Sequence, residues 1–246
     1  MNKDTRDYLI RGLPLDLAEK LKTAAGANLK AVVLYGSAAA GEFQRKYSDL
    51  NVLCVVERLG AVEMDQLNPA VTWWVRRRQP PPMVFTLEEL RRSADVFAIE
   101  LLDIQASHRV LYGEDVFAGM EIPMKLHRVQ VERELRTQLV RLREHYLAAP
   151  RNAKKLLRLM TASISTFATL FRHALITLGE QAPQPKREVV DQLASVLGFD
   201  AAAFHTVLDV REGKKREKEV DVAPTFRAYL EGVVRVVEEV DRRFHP

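Results

Sequence analysis

Apolar residues fall into two rhythms along the chain. Leu9, Leu13, Leu17 and Leu21 recur every four residues, which predicts a helix over residues 5–24, with Gly12-Leu13-Pro14 as the point where it could break. The next segments are continuous rather than periodic. LKAVVLY (Leu29–Tyr35) and DLNVLCVVE (Asp49–Glu57) are β-branched and aromatic runs of the kind that form strands covered on both faces. A short helix of small residues, Ser37–Glu42, is expected between them. Residues 60–79 read as a helix despite Pro69, closed by Arg76, Arg77 and Arg78 in the last turn and stopped by Pro80-Pro81-Pro82. A short strand at Met83–Phe85 comes next, then a helix opened by Thr86-Leu-Glu-Glu with the form of a capping box. Strands are expected at Phe97–Gln105 and His108–Tyr112.

Beyond Pro123 the rhythm becomes helical throughout. Val131, Leu135, Leu139, Leu142 and Tyr146 form one stripe. Leu156, Met160, Ile164, Phe167, Phe171, Ala174 and Leu178 form a longer one, and Phe226, Leu230, Val233, Val237 and Val240 a last. Arg187–Leu197 and Ala201–Leu208 supply two shorter helices. The expected fold class is therefore α+β: a mixed sheet with flanking helices over residues 1–120, then an all-α helical bundle over residues 121–246.

Composition sharpens this picture. With 47% hydrophobic and 28% charged residues, the 246-residue chain can bury a sizeable core and is neither disordered nor fibrous. Net charge is only +4, but residues 1–120 carry 15 basic against 16 acidic side chains and residues 121–246 carry 22 against 17. Ten bases against three acids between residues 122 and 160 make the most basic stretch, which reads as a solvated helix face or as a surface for phosphates. The single Cys54 excludes a disulfide framework and a Cys-based metal centre. The N-terminus lacks the pattern of a secretory signal, and no window holds 18 uninterrupted apolar residues, so a cytoplasmic protein with no membrane partner is expected.

Candidate chemistry concentrates at Leu34-Tyr-Gly-Ser-Ala-Ala-Ala-Gly-Glu and at Ser48-Asp-Leu-Asn-Val-Leu. A strand running into Gly36-Ser37 offers backbone N–H groups and a hydroxyl to an anion, and glycine lets phosphate oxygens come close. Period-two alternation then places Asp49 and Asn51 on one face of the second strand, where two oxygens could hold a hard cation. Trp73-Trp74 reads as core packing or as a surface on which a ring could stack.

An apolar strand, Gly-Ser, about a dozen residues and then Asp-x-(acid or amide) resembles the DNA polymerase β-like nucleotidyltransferase superfamily. The likeness is greatest to small bacterial minimal, aminoglycoside and lincosamide nucleotidyltransferases with a helical C-terminal domain. The resemblance implies transfer of a nucleoside monophosphate from an NTP, ATP above all, to an acceptor hydroxyl with Mg²⁺ and release of pyrophosphate. It implies that Gly36 and Ser37 grip the triphosphate, that Asp49 and Asn51 hold the metal, and that a third carboxylate comes from a later strand. Glu100 is the favoured third acid, with Asp103 as the alternative, and Asp49 and Glu100 are the expected catalytic pair. The nucleotide would lie between the two domains, and the helical domain would shape the pocket of an acceptor that the sequence does not identify, a small molecule such as an antibiotic or a protein.

The chain departs from that pattern at Asn51, where the superfamily carries a second acid. Loss of one negative charge weakens a divalent-metal site, so a catalytically degenerate nucleotide-binding or interaction module is the competing reading. Helical domains of this kind also resemble the HEPN group, some of which cut RNA with an Arg separated from a His by four to six intervening residues. None of the six histidines has that spacing, so nucleic acid is not an expected partner. A homodimer is expected only if an apolar helix is left uncovered.

Overall fold

The computed structural model describes residues 7–148 and 152–243. The chain divides into two compact units, Met1–Met124 and Lys125–Pro246. The first holds a four-stranded sheet with helices on both faces and the second is all helix, so the α+β class expected from the sequence is the class observed.

In the first unit a π-helical turn, Tyr8–Gly12, runs directly into α1 (Leu13–Ala25). The break expected at Gly12-Leu13-Pro14 does not occur, because Pro14 sits in the first turn of α1, where its missing N–H costs nothing. Leu13, Leu17 and Leu21 are buried, as the four-residue spacing requires. Strands β1 (Leu29–Tyr35), β2 (Asn51–Val56), β3 (Met83–Thr86) and β4 (His108–Gly113) form one sheet in the order β3-β2-β1-β4. β1 pairs antiparallel with both β2 and β4, and β3 adds parallel to β2. Between β2 and β3 lies α2 (Ala61–Val75); α3 (Leu87–Arg92) and α4 (Ala98–Ala106) separate β3 from β4.

The sheet is covered on both sides. Val32, Leu34, Val52, Cys54 and Val56 pack with Leu17, Leu21, Leu67 and Trp74 of α1 and α2. Ala31, Val33, Leu53 and Val55 point the other way, toward Leu90, Leu101, Ile104 and Phe117. This double cover is why β1 and β2 read as unbroken apolar runs. The Thr86 capping box forms as expected: Glu89 N–H donates to Thr86 Oγ1 at 3.1 Å and Thr86 N–H to Glu89 Oε2 at 2.8 Å.

Two elements differ from the sequence reading. The segment expected as a strand at Phe97–Gln105 is the helix α4. Its run is short enough to satisfy either period, and Ala, Leu, Glu and Gln favour the helix over the sheet. The helix expected at Ser37–Glu42 shrinks to one 3₁₀ turn, Gly36–Ala38, and Gly41 takes a left-handed φ of +76° in the loop beyond it.

The second unit comprises α5 (His127–Leu147), α6 (Ala153–Thr177), α7 (Lys186–Leu197), α8 (Ala202–Glu212) and α9 (Val222–Arg242). In the last turn of α8, Arg211 donates to the Thr161 carbonyl at 2.7 Å. α6 is the core helix, packed by α5, α7, α8 and α9. By length and composition it could also cross a membrane, yet its apolar stripe from Leu156 to Leu175 is buried inside this unit. Phe171, Phe204 and Tyr229 form the centre, with ring centroids 5.4 Å apart for Phe171–Phe204 and 4.7 Å apart for Phe204–Tyr229.

One glycine fixes the edge of the sheet. Gly113 ends β4 at φ +78°, and a Cβ there would stand 1.8 Å from the Lys30 carbonyl oxygen. Gly113→Ala should therefore cost about 3 kcal/mol, combining left-handed strain with a backbone clash. Urea unfolding would show this as a lower midpoint with an unchanged slope.

Candidate functional site

The end of β1 is where the chemistry-bearing residues meet. Tyr35, the last residue of β1, pairs with Asn51 on one side and with His108 on the other. The chain then turns at Gly36 with φ +73°, a region that disfavours a side chain. Asn51 closes on that turn: its Nδ2 lies 3.0 Å from where a Cβ on Gly36 would stand. Ser37 is half-buried in the single 3₁₀ turn, whose first carbonyl, Gly36 O, accepts from the N–H groups of both Ala39 and Ala40 at 3.0 Å.

Sheet alternation assigns the faces. Leu34, Leu50 and Val52 enter the core shared with α1 and α2, so Tyr35 and Asn51 belong to the face covered by α3 and α4, and Asp49 lies two residues before the strand. Asp49 is exposed. The backbone beside it is tied down by a group the sequence reading missed: Leu50 N–H donates to Gln79 Oε1 at 2.9 Å, linking the entry of β2 to the turn after α2. The loop before it is closed by Ser48, whose Oγ accepts from Gln44 N–H at 3.0 Å.

Glu100 reaches this place by a different route from the one expected. It lies in the first turn of α4, exposed, and not on a strand. Its charge nevertheless acts on Tyr35: burial, and then the Glu100 carboxylate, push the phenol up to about 12. Because α4 is a helix, Glu100 and Asp103 stand one turn apart on neighbouring positions rather than on opposite faces of a sheet. Neither Asp49 nor Glu100 forms an ion pair among the described residues.

His108 is the other residue that the sequence did not single out. Its Nδ1 faces the Ile104 carbonyl at 2.8 Å and its Nε2 faces Asp115 Oδ1 at 3.0 Å, with the ring tilted against Phe117. Asp115 is seven positions away in a loop, so no spacing rule would have paired the two. The remaining candidates have structural roles. Trp74 is fully buried and donates its indole N–H to the Pro80 carbonyl at 2.8 Å. Trp73 lines the space between α1 and α2 and is met by Lys20 Nζ and Arg77 Cζ at 4.8 and 3.8 Å from its ring. Burial pushes the Cys54 thiol up to about 12, so it has no thiolate chemistry near neutral pH.

Among the described residues no three His, Cys, Asp or Glu side chains gather as a metal cluster. One carboxylate and one amide do not build a preformed cage for two metal ions. They do suit a single Mg²⁺ that arrives already ligated by phosphate oxygens, the usual manner in which this cation is held beside nucleotides.

No protein-family model matches the chain, and no curated protein matches it in sequence. Its fold is similar to that of a solved structure. Spectinomycin adenyltransferase AAD(9) from Enterococcus faecialis, solved with ATP and spectinomycin, is similar over 91% of this chain and 98% of its own, with a TM-score of 0.55 and 14% sequence identity. At that identity the likeness is one of fold alone.

The Tyr35 shift carries a sign. A phenol whose pKa is raised on folding stabilises the protein fully below its unfolded value near 10, and that contribution is lost as pH climbs toward about 12. Tyr35→Phe should flatten the alkaline loss of stability over that window, and Glu100→Gln should bring the Tyr35 titration down. Absorbance titration of the tyrosinate band in the two variants against the parent chain measures both.

Proposed function

We propose that this chain is a nucleotidyltransferase that moves a nucleoside monophosphate from an NTP, ATP first, to a hydroxyl acceptor and releases pyrophosphate. The observation that carries the reading is the convergence at the end of β1 of the Gly36-Ser37 turn, Asn51 and the Glu100 charge, in a fold also found in an adenyltransferase solved with ATP. That neighbour is a spectinomycin adenyltransferase. A small hydroxylated molecule is the acceptor class proposed here, with the first unit as the transferase domain and the helical unit as the part that shapes acceptor choice.

In this reading Gly36 and Ser37 bind the triphosphate, the glycine by letting oxygens approach the backbone and the serine by its hydroxyl. The acceptor oxygen attacks the α-phosphorus, the bond from that phosphorus to the bridging oxygen breaks, and pyrophosphate leaves. The acceptor proton passes to a carboxylate, and Glu100, exposed and without an ion-pair partner among the described residues, is the one we assign to receive it. Asp49 and Asn51 would hold a Mg²⁺ carried in with the triphosphate, which when bound neutralises charge developing on the phosphates. Gln79 holds the backbone next to Asp49 by accepting from Leu50 N–H. A cytoplasmic setting would supply the NTP and keep Cys54 reduced.

A second reading has its own observation in favour. With an amide at position 51 and no three-ligand cluster among the described residues, the same turn would still hold a nucleotide without turning it over. Titration with each NTP in the presence of Mg²⁺, followed by pyrophosphate release with a panel of hydroxylated acceptors, separates the two. Release supports transfer; binding without release leaves the nucleotide-binding module, and absence of binding removes both. Ser37→Ala should weaken nucleotide binding about ten-fold, the value of one hydrogen bond to a charged group. Asn51→Asp should lower the Mg²⁺ concentration needed for half-maximal nucleotide binding.

A further inference from the structure

The helical unit contains a groove of about 520 Å³ between α5 and α6, a volume within the range of small-molecule sites. Arg141 and His145 border it from α5, Lys155 and Arg158 from α6, and no acid lines it. Its floor is apolar, formed by buried Leu142 and half-buried Leu159.

Those cations are unusual for this unit. Elsewhere in it Arg136 is held by Glu132 and Asp241, Arg187 by Asp209 and Glu212, and both Arg235 and Arg242 by Glu239. Arg141, Lys155 and Arg158 have no ion pair among the described residues. Lys155 and Arg158 stand one turn apart on α6, so they repel one another across a low-dielectric floor with nothing among the described residues to offset it. His145 adds to the same sign when protonated: its Nδ1 faces the Arg141 carbonyl at 2.7 Å, which leaves Nε2 for a further bond.

We infer that the α5–α6 groove binds a small organic anion with an apolar body, its phosphate or carboxylate between Arg141 and Arg158 and its apolar part on Leu142 and Leu159. Charge excludes a cationic ligand. The apolar floor gains nothing from a bare inorganic ion, whereas it removes hydrocarbon from water when an amphiphile lies on it. The inference uses only residues of the helical unit and does not depend on the transferase reading.

Calorimetric titration of the full chain with octyl phosphate, octyltrimethylammonium and inorganic phosphate tests it. Octyl phosphate should bind at least ten-fold tighter than inorganic phosphate, and octyltrimethylammonium should not bind. The double variant Arg141→Gln/Arg158→Gln should lose at least ten-fold in octyl phosphate affinity with a Tm no lower than that of the parent chain, because both side chains are exposed and have no ion pair among the described residues. Leu159→Ser should weaken octyl phosphate while leaving inorganic phosphate unaffected. Equal binding of the cationic amphiphile, or full affinity in the double variant, overturns the inference. So does loss of octyl phosphate binding in Ser37→Ala, which would place its phosphate at the Gly36-Ser37 turn. Tighter binding of an oligothymidylate than of octyl phosphate, with the same dependence on Arg141 and Arg158, would assign the groove to nucleic acid and overturn it as well.

Discussion

The candidate site depends on how β1 ends. β1 is buried on both faces and paired along both edges, so its backbone has no freedom until its last residue, Tyr35, which is still matched to Asn51 and His108. The chain must then leave the sheet at the same level where both neighbouring strands begin, at Asn51 and His108. Gly36 does this by taking a left-handed φ of +73° with the Asn51 amide pressed against it. A residue with a side chain would meet backbone strain and that amide together. The product is a half-buried turn whose position is set by three strands, which is the kind of rigid support a phosphate-binding or catalytic group requires.

The strands were legible because double burial leaves an unmistakable trace: continuous apolar runs that no surface element would carry. The helical stripes were legible for a related reason, since α5, α6 and α9 each commit one face to a core and keep the other wet. Phe97–Gln105 was not legible. Nine mostly apolar residues are too few for periodicity to decide, although the three-residue spacing of Ala98, Leu101 and Ile104 and local propensity both suit the helix. The error mattered for Asp103 more than for Glu100, since a helix on the correct face of the sheet brings Glu100 near Tyr35 as a strand would have done. Gln79 and the His108–Asp115 pair were beyond reach of any spacing rule, because their partners are joined through the fold and not by a repeat.

Asn51 carries the chemical ambiguity of the site. Its amide preserves the shape of an acid and the contact with Gly36, so the fold loses nothing by the exchange. Charge alone changes: one negative charge fewer beside Asp49. A preformed pair of metal ions depends on that charge, whereas a single Mg²⁺ brought by a triphosphate depends mainly on the phosphates themselves.

Unpaired charge, more than net charge, distinguishes the places with functional potential. Lys30 and Glu57 pair across the sheet edge, and Arg187 alone satisfies two carboxylates. In a chain that neutralises its charges so readily, Asp49 before β2 and Glu100 in the first turn of α4, and Arg141, Lys155 and Arg158 around an apolar floor, lack ion pairs among the described residues. Exposed ion pairs contribute little to stability, so lacking one costs a surface residue little by itself. Clustering like charges is different, because each added member raises the repulsion borne by the others. A cluster with no structural counter-charge gains stability when a ligand of opposite charge arrives. By that argument the two sites differ in sign: the acids of the sheet unit call for a cation that accompanies phosphate, and the bases of the helical unit call for the anion itself.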